Sequence, residues 1–193
     1  MRRIVDRNDA KPERNRRPQM SCFGLRSVWV DSTTEGVTDM IESILGTMRP
    51  SQIAIIVNDV EEAKRSYARF WGVDVPPTVD SGEYAVTKTV YRGAPNELAG
   101  CNMAFFDLGN IQLEIIQPNA AQSTWRDWLE SHGEGLHHVA YKVDDIFKGM
   151  DAMKAAGYEC TMWGYYGDAS GAYAYFDCMA DLKMYVELLC DFK

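Results

Sequence analysis

The stretch that decides the fold is His138-Val-Ala-Tyr-Lys-Val-Asp-Asp145, because it repeats the pattern of Gln52-Ile-Ala-Ile-Ile-Val-Asn-Asp59. Each stretch opens on a polar residue, continues as an apolar run typical of a strand and ends on a polar pair suited to cap a helix. A helical pattern that ends at a glycine follows in both places, over 60–71 and over 146–156. The repeat therefore predicts two copies of one strand-helix unit.

Three short runs with strand character follow each predicted helix. They cover 84–91, 102–108 and 111–117 in the first copy, and 160–165, 172–176 and 184–189 in the second. Each copy is thus a βαβββ module, and we predict an α+β fold of two tandem modules. The predicted organisation is a disordered basic leader (1–24), an N-terminal extension with a short amphipathic helix (25–47), the first module (48–119), a helical linker (120–135) and the second module (136–193).

Composition and charge exclude several classes of function. The chain has 193 residues, of which 46% are hydrophobic, and a net charge of −8. Residues 1–20 carry a net charge of +4, whereas residues 48–193 carry −9, which repels nucleic-acid phosphates. No run approaches the roughly 20 apolar residues of a membrane helix. We therefore expect a folded protein that binds neither nucleic acid nor a membrane.

The five cysteines have no C-x-x-C spacing, so neither a disulfide framework nor a zinc knuckle is indicated. A reducing compartment suits such a chain, and we expect it to be cytoplasmic.

Both predicted last strands contain a glutamate between apolar neighbours, Glu114 and Glu187. A carboxylate embedded in an apolar strand is costly to bury unless it is paired or bound to a metal. Because the two glutamates occupy equivalent places in the repeat, one shared cause is indicated.

The paired modules resemble the vicinal oxygen chelate superfamily, which includes glyoxalase I, methylmalonyl-CoA epimerase, extradiol dioxygenases and the bleomycin-binding proteins. The resemblance covers about residues 50–189. It implies that the modules curl into a cup-shaped mixed sheet that holds one divalent metal ion per chain (Zn, Ni, Co, Mn, Fe or Mg). It also implies a small-molecule substrate and a homodimer. Carried over by position, the metal ligands are Gln52, Glu114, His138 and Glu187.

Within that superfamily, different parts of the sequence resemble different members. The run Gly133-Glu-Gly-Leu-His-His138 looks most like the methylmalonyl-CoA epimerases. The ligand order Gln, Glu, His, Glu is instead that of eukaryotic-type glyoxalase I, since epimerases place His at the first position and commonly Gln at the second. The additional catalytic glutamate of the epimerases has no counterpart in 84–91. Of the two adjacent histidines, we predict that His138 is the ligand and that His137 points to the opposite face.

Methylmalonyl-CoA epimerase and glyoxalase I both move a proton on a carbon next to a carbonyl. The resemblance therefore implies a divalent-metal-dependent isomerase or epimerase that abstracts a proton next to a carbonyl or thioester, through a metal-stabilised enolate. Glu187 matches the base of glyoxalase I, and Glu114 would serve the other face of the same carbon. Two alternatives stay open: a glyoxalase I-like lactoylglutathione lyase and a metal-free binding protein of the bleomycin-resistance type.

Overall fold

The computed structural model describes residues 43–193. The predicted leader and most of the predicted N-terminal extension, including Val37, Met40 and Ile41 of its amphipathic helix, lie outside the described residues. The described chain begins with a turn, in which the backbone N–H of Gly46 donates to the carbonyl of Ser43 over 3.2 Å.

Residues 43–193 form ten strands and four helices. The strands are β1 (Pro50–Ile56), β2 (Val79–Asp80), β3 (Val90–Tyr91), β4 (Ala94–Pro95), β5 (Cys101–Asp107), β6 (Gln112–Pro118), β7 (Gly135–Lys142), β8 (Glu159–Tyr165), β9 (Gly171–Asp177) and β10 (Tyr185–Asp191). The helices are α1 (Val60–Trp71), α2 (Tyr84–Thr87), α3 (Thr124–His132) and α4 (Ile146–Ala155).

All ten strands belong to one mixed sheet in the order β2-β5-β6-β1-β7-β10-β9-β8-β3-β4. In each module the first strand runs parallel to the last, as β1 does to β6 and β7 does to β10. The two first strands, β1 and β7, pair antiparallel at the centre and join the modules. The predicted α+β fold of two tandem modules in a mixed sheet is confirmed.

The two module helices begin at the predicted caps. Asp59 accepts a hydrogen bond from the backbone N–H of Glu62, and Asp145 accepts from the N–H groups of Phe147 and Lys148. These bonds satisfy donors that the first turn of a helix leaves free. Helix α1 ends at Gly72, whose φ of 70° is the left-handed conformation that glycine adopts without strain.

Helices α1 and α4 cover one face of the sheet and leave the other face for a site. Leu113 and Ile115 of β6 pack against α1, and Val186 and Leu188 of β10 pack against α4. Because side chains alternate along a strand, the residues between them point to the opposite, inner face. Both embedded glutamates lie among those inner residues.

The predicted strand over 84–91 is wrong. The segment folds into the short helix α2 and the two-residue strand β3, and β3 pairs with β8 of the second module. The chain must pass here from β2 at one edge of the sheet to β3 near the other edge. Thr89 is buried within this crossing segment. Its hydroxyl forms hydrogen bonds with the hydroxyls of Thr87 and Tyr173, at 3.0 and 3.2 Å. Tertiary contacts therefore override the strand propensity of this β-branched run.

No helix within 43–193 is long and apolar enough to cross a membrane. Cys101, Cys160, Cys178 and Cys190 are free thiols.

Candidate metal centre

Two neighbouring strand pairs bring the predicted ligands together at the centre of the sheet. Ala54 of β1 lies opposite Glu114 on one side and opposite His138 on the other. Glu187 of β10 lies beside the His138 strand, opposite Ala140. The three polar side chains are almost fully enclosed, with 5%, 2% and 3% of their surface exposed for Glu114, His138 and Glu187.

The ligand atoms of these three residues form one compact cluster. Nε2 of His138 lies 2.9 Å from Oε2 of Glu187 and 3.5 Å from Oε2 of Glu114. One donor atom from each residue lies within 4.8 Å of the other two. This separation is what three ligands of a single ion need, since metal–oxygen and metal–nitrogen distances are about 2.0–2.2 Å.

The same three atoms lack hydrogen bonds. Oε2 of Glu114, Nε2 of His138 and Oε2 of Glu187 are buried, and none has a hydrogen-bond partner of good geometry, although two of them are in close ionic contact. Unpaired buried polar atoms are rare in folded proteins and call for an explanation such as an ion. The mixed oxygen and nitrogen donor set fits a divalent cation.

The carboxylates of the cluster change the pKa of His138. Burial by itself would lower the pKa of His138, but the charge of Glu187, together with Glu114, outweighs it and raises the pKa to about 9. Burial raises the pKa of Glu114. Without a metal, the protonated imidazole is thus the cation that balances the carboxylates.

Gln52, the fourth predicted ligand, lies on the same inner face. It is buried and lines the same cavity as Glu114 and Glu187. Its amide nitrogen donates to Oε1 of Gln112 over 2.8 Å. The amide oxygen is therefore the atom of Gln52 left for a metal. The sequence analysis missed Gln112, although it precedes Glu114 by two residues on the same face.

His137 does not point away from the site, contrary to the prediction. In the ladder between β1 and β7, Ala54 pairs with His138 and the next residue, Ile55, pairs with Leu136. His137 therefore has no partner on β1 and forms a β-bulge. Strict alternation fails at a bulge. Both histidines are consequently buried, and their Nδ1 atoms lie 3.0 Å apart.

The two glutamates of the cluster, together with Gln52, line a cavity of about 540 Å³. Its wall is largely apolar and aromatic, formed among others by Met103, Phe105, Trp125, Tyr173, Tyr175 and Leu189. Tyr175 lies directly opposite Glu187 in the β9–β10 ladder, with its ring centroid 5.1 Å from that of His138. Lys142 and Asp191, which the sequence analysis did not single out, form an ion pair that also lines the cavity.

The two modules also meet at the wall of the cavity. A Cβ added to Gly82 would lie 2.6 Å from the Cα of Gly167, and one added to Gly167 would lie 2.7 Å from the carbonyl oxygen of Ser81. All three residues line the cavity. The backbone contact between the loop after β2 and the loop after β8 therefore depends on the two glycines.

Known proteins of similar sequence include epimerases. The chain is 29% identical over 110 residues to the ethylmalonyl-CoA/methylmalonyl-CoA epimerase of Cereibacter sphaeroides, which covers 56% of this chain and 71% of that protein. It is 26% identical over 121 residues to the mitochondrial methylmalonyl-CoA epimerase of Homo sapiens, covering 62% of this chain and 60% of that one. The chain thus spans less than two thirds of the human relative.

Solved structures with the same fold include the methylmalonyl-CoA epimerase of Mycobacterium tuberculosis. The TM-score is 0.52 at 16% identity, over 78% of this chain and 91% of that one. The Streptomyces coelicolor methylmalonyl-CoA epimerase in complex with 2-nitronate-propionyl-CoA gives 0.51 at 18% identity, over 74% and 96%. At these identities the likeness concerns the fold. The family model described as the Glyoxalase/Bleomycin resistance protein/Dioxygenase superfamily matches residues 51–176, well over half of the chain. The chain belongs to this superfamily.

Proposed function

We propose that this protein is a divalent-metal-dependent epimerase or isomerase that moves a proton on a carbon next to a carbonyl or thioester. The observation that carries the proposal is the cluster of Glu114, His138 and Glu187, whose buried donor atoms lie within 4.8 Å of one another beside a cavity. The similarity to acyl-CoA epimerases supports the same reaction class.

In this proposal Gln52, Glu114, His138 and Glu187 hold the ion. A bound divalent cation would polarise a substrate carbonyl oxygen and so make the neighbouring C–H more acidic. The strands hold the ligands rigidly, because β1, β6, β7 and β10 are consecutive neighbours at the centre of the sheet. This mixed donor set suits several ions, so loading experiments are needed to identify the metal.

Glu187 and Glu114 are the proposed proton carriers. They belong to β10 and β6, on either side of the two central strands, so they approach the cavity from two directions. An epimerase needs one group that removes the proton and a second that returns it from the opposite face of the carbon.

The cavity favours a substrate with an apolar or planar part next to its polar reacting group. Its aromatic and aliphatic wall buries such a part, while the polar cluster binds the carbonyl end. An acyl thioester has this distribution of polarity. Such substrates agree with the names of the similar epimerases.

Metal analysis followed by hydrogen exchange tests the proposal. The purified protein is reloaded with Zn, Ni, Co, Mn or Mg in turn, and methylmalonyl-CoA and other acyl-CoA thioesters are incubated with it in D₂O. We expect about one metal per chain and metal-dependent deuterium incorporation at the α-carbon. The proposal would be contradicted if no stoichiometric metal were found, or if deuterium incorporation did not depend on the metal.

A second candidate is a glyoxalase I-like lyase. It is favoured by the glutamate at position 114, since two glutamates with a glutamine and a histidine make the glyoxalase I ligand pattern. The hemithioacetal of methylglyoxal and glutathione distinguishes the two functions. Turnover of this adduct, without exchange of acyl-CoA α-protons, would favour the lyase.

We further propose that the enzyme works in the cytoplasm as a homodimer. Phe70 at the end of α1 is 80% exposed beside the partly exposed Trp71, and large exposed apolar side chains gain from burial at an interface. A monomer in light scattering at micromolar concentration would contradict the dimer.

A further inference from the structure

His137 is an enclosed polar side chain with one polar contact. It is 1% exposed, and within the described residues only Nδ1 of His138 lies within hydrogen-bond distance of its ring nitrogens. Its Nε2 is buried without a partner. The ring of Tyr185 stacks on the imidazole at 5.0 Å and 26°, and that of Trp128 meets it edge-on at 5.3 Å. The surrounding aromatic rings therefore hold the imidazole in place.

Packing alone does not explain a histidine here. A hydrocarbon side chain would fill the same aromatic pocket without leaving a buried nitrogen unpaired, which is unfavourable. The β-bulge also interrupts the ladder to bring His137 towards His138 rather than to the opposite face. The contact between the two Nδ1 atoms is thus the one interaction for which the histidine side chain is required.

The contact holds a single proton, because a hydrogen bond needs one donor and one acceptor. If the proton is on Nδ1 of His138, the Nε2 lone pair of a neutral His138 is free and faces Glu114 and Glu187. If the proton is on Nδ1 of His137, a neutral His138 must carry its own proton on Nε2. A metal ion could not then bind between Nε2 and the two carboxylates.

We propose that His137 is a positioning residue: its Nδ1 accepts a hydrogen bond from Nδ1–H of His138 and so selects the tautomer that leaves Nε2 free for a metal. The bond also fixes the direction of the His138 ring towards the carboxylates. Metal-binding histidines generally need such a partner on the second nitrogen, and its loss weakens metal binding by about 10- to 100-fold. This inference rests on the proposed metal site.

Two variants of similar size separate hydrogen bonding from packing. Asn has an acceptor oxygen near the position of the histidine Nδ1, whereas Leu has the same shape without one. We expect His137→Leu to weaken the Co²⁺ affinity, measured by competition with a chelator, by about 10- to 100-fold. His137→Asn should keep it within a few-fold. His132→Leu is the control, since the ring of His132 stacks on the same Trp128 at 4.1 Å, whereas the aromatic contacts of His138 are with His137 and Tyr175. It should leave the affinity unchanged.

Equal losses in the Leu and Asn variants, or no loss in either, would overturn the inference. Should His137→Leu be recovered unfolded, nitrogen NMR of the wild-type protein provides a second measurement. In the Zn²⁺-loaded protein the Nδ1 of His138 should carry the proton and the Nδ1 of His137 should not, and the reverse would overturn it. If the wild type binds no metal, the proposed function fails, whereas a spectrum of the metal-free protein above the His138 pKa of about 9, where His138 is neutral, still decides which Nδ1 is the donor.

Discussion

Nε2 of His138 lies 2.9 Å from Oε2 of Glu187, although the strand register places Glu187 opposite Ala140 rather than opposite His138. The contact is thus a diagonal one across two parallel strands. The protonated imidazole takes the place of a cation between the carboxylates, which is consistent with the raised pKa of His138, about 9. A metal ion must displace this proton.

Metal binding should therefore release protons near neutral pH. Below a pH of about 9 the metal-free protein holds His138 protonated, whereas a metal ligand must be deprotonated. Calorimetric titrations with Zn²⁺ in two buffers of different ionisation enthalpy should show release of at least about one proton per metal at pH 7. The release should decline as the pH rises through 9, and the apparent affinity should increase over the same range. A proton release that does not change with pH would contradict this assignment.

Glu187→Gln should separate metal binding from proton transfer. The amide keeps the size and one oxygen of the glutamate but is not basic, so we expect metal to remain bound while α-proton exchange in D₂O falls by roughly 10²–10⁴-fold. Asp191→Asn is the matched control, because it makes the same chemical change on the same strand and faces the same cavity. It should change the exchange rate little. Exchange at the wild-type rate in Glu187→Gln would limit Glu187 to the role of a ligand.

The repeat in the sequence predicted the order of the main elements in each module because its signals are local. The caps Asp59 and Asp145 and the stop at Gly72 depend on neighbouring residues, and the structure confirms them. The burial of Glu114 and Glu187 followed from their place in an apolar strand. Local signals of this kind are present in a single sequence.

The errors occurred where tertiary contacts decide the conformation. The segment 84–91 has an alternating β-branched pattern, but it has to cross from β2 to β3, and the hydrogen bond between Thr89 and Tyr173 stabilises it there. The direction of His137 depends on a bulge between β1 and β7, which involves residues more than eighty positions apart. No periodicity within either strand indicates such a bulge.

Tyr91→Phe should destabilise the junction between the modules. The hydroxyl of Tyr91 donates to Oδ2 of Asp127 over 2.5 Å and ties β3 to α3. A partly buried hydrogen bond to a carboxylate contributes about 1.5–3 kcal/mol, so urea unfolding should show a loss of that order in the free energy of unfolding. Arg92→Ala is the control, since its ion pair with the same carboxylate is solvent-exposed and contributes about 0–1 kcal/mol. Equal losses in the two variants would contradict this distinction.

Gly167→Ala should separate the two loops that meet at the cavity wall and leave the metal site intact. The new methyl group would lie 2.7 Å from the carbonyl oxygen of Ser81, and two backbone segments must move apart to admit it. Strain of this kind costs about 1–3 kcal/mol, so we expect a lower melting temperature and a several-fold higher KM. The metal affinity should not change, because the proposed ligands lie on β1, β6, β7 and β10 rather than on this loop.

Gly100→Ala is the matched control for this change. Its methyl group would meet only the side-chain ends of Asn119 and Ser81, at 3.3 and 3.4 Å, and side chains can shift more readily than backbone. We expect a smaller change in melting temperature and in KM than for Gly167→Ala. The opposite result would be loss of the metal in Gly167→Ala together with an unchanged KM in the metal-saturated protein. The loop contact would then support the metal ligands rather than the wall of the cavity, which would contradict this prediction.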